Sequence, residues 1–190
     1  MKFRFVAALP LALMCQAAGA VDYQGAMKAY LDASIRAWAE DPALVHAIEA
    51  ANSDRAGYDQ AAIDAADAAW KAEVGQADTP TIMPVLHNAA ADFLRQQVEA
   101  SGGKITEAFI TDNVGLNVSV SSPTSDMWQG DEDKFTKVFP TGAAGTFFGD
   151  VELDESTQSY QGQISISIVD PATQAVIGTL TVGVDADALM

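Results

Sequence analysis

In the stretch SDMWQGDEDKF, Ser125 to Phe135, a tryptophan sits beside an amide and a glycine, with four carboxylates around it: Asp126, Asp131, Glu132 and Asp133. An indole face attracts a cation and covers an apolar body, while nearby carboxylates accept the cation's N–H groups. These residue types suit reversible capture of a positive or neutral small molecule, with Trp128 as a wall. They also have a plainer reading: Trp128 as a core side chain, and Asp131, Glu132 and Asp133 as a solvated run favouring the N-terminus of the next helix.

Groups suited to bond-breaking chemistry are sparse. The two histidines, His46 and His87, fall in helical patterns without the His-Glu-x-x-His spacing of a zinc protease. The single cysteine, Cys15, lies in the leader, and no serine has the Gly-x-Ser-x-Gly setting of a nucleophile elbow. DESTQSYQG carries oxygen ligands at alternate places but lacks the glycine and final glutamate of a calcium loop. Abundant carboxylates in an acidic chain do not by themselves make a glycosidase-like pair. Binding without catalysis, cofactor or metal is therefore the expectation.

Composition narrows the partners. Residues 1–20 read as an export signal: Lys2 and Arg4 precede a short apolar run, and Ala18-Gly19-Ala20 is a cleavage site of small residues. That run is too short to cross a bilayer as a helix. Cleavage after Ala20 removes two of the ten basic residues and none of the twenty-six acidic ones, taking the formal charge from −16 to −18. Such a balance repels phosphate backbones and anionic lipid, which sets aside nucleic acid and peripheral membrane binding. A thiol-free mature chain held by its core alone, in one domain over 21–190, fits a Gram-negative periplasm.

The elements that must position Trp128 divide by period. Up to Ala100 the pattern is helical: Met27, Tyr30, Leu31, Ile35 and Trp38 form one apolar stripe, Asp41-Pro42 and Asp59 start further helices, and Pro80 to Pro84 breaks the run before Leu86, Phe93 and Val98. Ser101-Gly102-Gly103 joins this helical layer, 21–103, to a β-patterned part, 104–190. There, KITEAFITDNVGLNVSVS reads as a hairpin, Phe135, Val138 and Phe139 as a short helical patch, and three strand runs follow: Thr146 to Leu153, Tyr160 to Val169, Ala175 to Val184. Short polar links make those three antiparallel neighbours. The expected fold is α+β, with helices on an antiparallel sheet of five to six strands. Ile164, Ile166 and Ile168 alternate with Gln163, Ser165 and Ser167, so one sheet face is apolar and the other small and polar, either solvated or the floor of a pocket.

ITEAFITDNVG, SDMWQGDEDKF, GDVELDESTQSY and IGTLTVGVDADAL, in that order after long helices, resemble the Cache (PAS-like, PDC-type) extracytoplasmic sensor domains of bacterial chemoreceptors and sensor kinases. The likeness covers most of the mature chain and is strongest from Ile105 to Leu189. It implies long N-terminal helices packed on a PAS-like sheet, with a small molecule held between the sheet and the segment covering it. Amino-acid-binding members carry an arginine, a tryptophan and a tyrosine in that segment, and an aspartate at the end of the last strand. Trp128 matches the tryptophan and Asp185 the aspartate, but Asp126 stands at the place of the arginine and Gln129 at that of the tyrosine. Losing the arginine removes the cation a ligand carboxylate needs, which favours a cationic or neutral ligand. Asp150 and Tyr160 are further candidates, with plainer roles in a turn and at a strand end. The resemblance also implies a separate signalling partner, a membrane receptor, a sensor kinase or a second copy, because no output domain follows before Met190. The competing expectation is a non-catalytic interaction or inhibitor module whose pocket is vestigial.

Overall fold

The computed structural model describes residues 22–154 and 159–190. Residues 1–21, with the expected export signal, and 155–158, in the expected link after Asp154, lie outside the described residues. The helical part comprises α1 (Tyr23–Tyr30), α2 (Pro42–Asp54), α3 (Gln60–Glu73), α4 (Ile82–Leu86) and α5 (Ala89–Ala100). Local chemistry starts these helices where the sequence places them. Asp41, Asp59 and Asn88 each accept a hydrogen bond from a first-turn N–H, those of Ala43, Ala62 and Ala91, at 2.8, 3.0 and 2.9 Å.

Two stretches differ from the expected pattern. The apolar stripe from Met27 to Trp38 does not run as one α-helix: after α1 the chain widens into a π turn at Leu31–Ile35 and tightens into a 3₁₀ turn at Arg36–Glu40. Met27, Leu31, Ile35 and Trp38 still all reach the core. The Pro80 to Pro84 segment is not merely a break, because the short α4 begins within it and runs through Pro84 to Leu86.

Six antiparallel strands follow: β1 (Ile105–Thr111), β2 (Asn117–Val120), β3 (Thr146–Phe148), β4 (Glu152–Asp154), β5 (Ser159–Val169) and β6 (Val176–Asp185). Their order is β2-β1-β6-β5-β3, with β4 also pairing β5. This is the α+β arrangement with a PAS-like sheet. The run expected from Thr146 to Leu153 splits in two: Gly149 still donates to Gln163 O at 2.8 Å, and β4 resumes pairing with β5 only at Glu152. A four-residue helix, α6 (Asp133–Thr136), and a 3₁₀ turn at Phe139–Thr141 lie between β2 and β3.

The apolar sheet face, with Ile164, Ile166, Ile168, Leu180, Val182 and Val184, packs on α1, the π and 3₁₀ turns, α2 and α5 to form the main core. A second cluster joins α3 and α4 to Phe109, Leu116, Val120 and Met127 around the β1–β2 end. Trp70 at its centre is fully buried and donates its indole N–H to Thr124 O at 2.9 Å. Truncating a side chain of this size costs about 3–5 kcal/mol. A buried ion pair, Arg55 to Asp112 at 2.7 Å, ties α2 to the β1–β2 turn.

Candidate functional site

The small polar sheet face is built in rows of residues that stand opposite one another. In the first, Thr111 pairs with Thr179 and Thr179 with Ser167; in the second, Phe109, Thr181, Ser165 and Phe147 line up; in the third, Glu107, Gly183 and Gln163. The first two rows are covered by the chain from α6 to Gly145. Their hydroxyls satisfy one another, Thr111 with Thr179 at 2.7 Å and Ser165 with Thr181 at 2.9 Å, and Ser167 donates to Gly142 O at 2.8 Å. Most of this part of the polar face is therefore closed off by protein, with Phe147 and Ser167 at its margins still reaching cavities.

The third row lies beyond that cover and forms the floor of a cavity of about 450 Å³. Gly183 makes the row possible. A Cβ there would lie 2.7 Å from Thr106 Oγ1 and 2.8 Å from Glu107 Cγ, so only its absence leaves room for the Glu107 side chain to bond to Gln163 in the same row. Glu132, Asp133 and Lys134 of the α6 segment face the floor, and Phe147, Asp150, Glu152 and Leu153 complete the wall toward solvent. Burial raises the Glu107 carboxyl above the usual carboxylate range, with Glu132 adding to the rise, while the Lys134 charge and the Gln163 hydrogen bond oppose it.

Helix α6 is seated on the second row by two cation–π contacts. Lys134 Nζ lies 5.3 Å from the centre of the Phe109 ring, and Lys137 Nζ lies 5.1 Å from that of Phe147. Lys137 also pairs with Asp133 at 2.6 Å in the open, whereas Lys134 pairs with Glu132 at 3.1 Å with its side chain only 11% exposed. The cavity thus gathers five carboxylates and one ammonium.

Of the six residues singled out from sequence, Asp150 alone lines this cavity. Trp128 is half-buried beside the second cluster: its indole N–H donates to Val114 O at 2.9 Å, and its backbone forms a bridge to Leu116. Asp126 accepts from Gln129 Nε2 at 2.7 Å, and Gln129 is buried, its Oε1 one of two buried side-chain atoms without a hydrogen-bond partner among the described residues. Asp185 ends β6 and accepts from Ala188 N at 3.1 Å. Tyr160 is exposed and stacked on Tyr23, ring centres 6.1 Å apart. Asp131 and Asp133 are exposed and Glu132 is half-buried, in keeping with a largely solvated run, and Glu132 and Asp133 also line the cavity.

Sequence reasoning missed Glu107, Gln163 and Lys134. One signal pointed there: Gly183 interrupts a β-branched strand, and a glycine inside a strand marks a close approach of another group. Where the missing arginine leads us to expect a pocket without a cation, this cavity has Lys134, eight residues beyond Asp126.

No family model and no curated protein matches this chain. Among solved structures it is similar to the sensor domain of the Vibrio cholerae histidine kinase DctB, at 14% identity over 88% of this chain and 53% of that one, with a TM-score of 0.45. It is also similar to the ligand-binding domain of the Campylobacter jejuni chemoreceptor Tlp3 in complex with 4-methylisoleucine, at 14% identity over 88% of this chain and 61% of that one, TM-score 0.42. A third is an extracellular ligand-binding receptor from Desulfohalobium retbaense, at 14% identity over 77% and 25%, TM-score 0.41. The chain therefore spans 53%, 61% and 25% of the lengths of these three. Among the described residues no helix is long and apolar enough to cross a membrane, and no cluster of His, Cys, Asp or Glu is arranged to hold a metal ion.

Proposed function

We propose that this chain is a Cache-type small-molecule sensor domain that reversibly binds a small cationic or neutral metabolite in the cavity between the β1–β6–β5 floor and the α6 segment. The observation that supports this best is the row Glu107–Gly183–Gln163: a glycine opens space in a packed strand, and a carboxylate is held at the bottom of an open volume. Five carboxylates against one ammonium make the lining negative, which disfavours a simple anion in a site partly withdrawn from water. Catalysis is not part of the reading. Trp128, Asp126 and Gln129 serve it indirectly, by anchoring the segment that leads into Glu132–Lys134, while Asp150 stands at the mouth. Asp185 and Tyr160 hold the ends of β6 and β5 beside it. The domain works in the periplasm and passes occupancy to a separate receptor, a sensor kinase or a second copy, through a different affinity for two states.

A melting-temperature screen against amines, amino acids and osmolytes tests this, since a ligand that prefers the folded state raises the transition. A dose-dependent rise with at least one amine or neutral compound is expected. A flat response across the whole panel removes the proposal and favours the interaction module, although the open volume already weighs against a pocket filled by its own side chains.

A further inference from the structure

Lys134 has an unusual position for a lysine in a four-residue surface helix. Its side chain is mostly buried, and its ammonium lies over the face of Phe109, pairs with Glu132 and sits in the field of Glu107. An aromatic face flanked by carboxylates is the arrangement that receives a cationic ligand. Here the protein's own side chain fills it. Nearer the solvent, Asp150 and Glu152 also line the cavity and make no ion pair among the described residues.

We infer that Lys134 is a tethered cation occupying the innermost cation seat of the cavity, and that it thereby determines which amines the cavity accepts. This rests on the binding function proposed above and deepens it. A bound amine keeps its ammonium near Asp150 and Glu152 and turns a neutral, acceptor-bearing end inward, where the N–H groups of Lys134 meet it. A second ammonium directed inward meets Lys134 at short range in a site of reduced dielectric, and is rejected. The ligand class is a mono-amine with a hydroxyl, carbonyl or similar acceptor a few atoms from its nitrogen, and diamines are excluded.

Calorimetric titration of the full chain with 4-aminobutan-1-ol and butane-1,4-diamine, two probes of matched length, tests this. The parent should bind the amino alcohol more tightly, by about tenfold or more, the scale of one lost charged contact. Lys134→Met vacates the seat and should reverse the order, whereas Lys134→Arg should keep it. A purely structural role for Lys134 weakens both probes together and leaves their order alone, which overturns the inference. So does a parent that prefers the diamine, or one that binds neither probe. The parent comparison decides the case even if Lys134→Met does not fold. Rejection of both probes alongside a positive response to other compounds in the melting screen overturns the Lys134 assignment while leaving the binding function standing.

Discussion

At the scale of single residues, the site depends on Glu107, a carboxylate held in a sheet by an absence of atoms opposite it. Its raised pKa has two consequences of opposite sign. The folded chain holds this proton more tightly than the unfolded chain, so the stability Glu107 contributes is whole below the ordinary carboxylate range and is lost as pH rises through its raised value. The melting temperature of Glu107→Gln relative to the parent should therefore climb with pH across that window, and parallel melting curves at all pH values would contradict it. Affinity for a mono-amine should rise over the same window in the parent, as the carboxylate ionises, and stay flat in Glu107→Gln. At neutral pH the variant should bind more weakly by about 1 kcal/mol, the scale of a charge acting across several ångströms of partly hydrated protein. Beyond the glycine inside a strand at Gly183, none of this was legible from the sequence. Glu107 in ITEAFIT reads as an ordinary outward position, and only the register that sets it against Gly183 and Gln163 reveals its place.

Among the elements, the segment from Thr124 to Lys134 connects the second core cluster to the cavity wall, and Asp67 on α3 fixes its path. The Asp67 carboxylate accepts the N–H groups of Met127 and Trp128, at 3.0 and 3.1 Å, and pairs with Lys71 at 2.6 Å. Burial alone would raise its pKa, but the Lys71 hydrogen bond and the two backbone N–H groups outweigh that and lower it. Its contribution is present above the ordinary carboxylate range and fades as pH falls through the depressed value. Asp67→Ala should lose about 1.5–3 kcal/mol in urea unfolding at neutral pH, as expected for charged hydrogen bonds. The loss should shrink in acid, and a pH-independent deficit would point to packing instead. The helix starts at Asp41 and Asp59, the β1–β2 hairpin and the glycine joint were readable because each depends on neighbours a few residues away. Where the Trp128 indole points was not, because its acceptor, Val114, and its backbone anchor, Asp67, come from a distant turn and a distant helix.

For the whole molecule, the order of a helical half before a sheet half was plain from the change of hydrophobic period, and the partition of the apolar face against the helices followed from strand alternation. The fate of the polar face was not, because residues 133–145, which cover two of its three rows, carry too little periodicity to announce it. The net charge of −16 acts on everything at once. Moderate sodium chloride should raise the melting temperature by screening self-repulsion, while weakening a cationic ligand. Melting that is insensitive to salt would mean that the carboxylates are better balanced locally than their number suggests. The cavity floor has one further property. Gly162, which lines the cavity on β5, would place a Cβ only 2.8 Å from the Met27 sulfur of α1, on the opposite side of the sheet. Only the backbone of Gly162 stands there between the cavity and the Met27 and Val151 side chains, so if the cavity takes a guest as proposed, any displacement of that strand would press on α1 without a side chain of its own to absorb it, as a push on a drumskin reaches whatever leans against its far side.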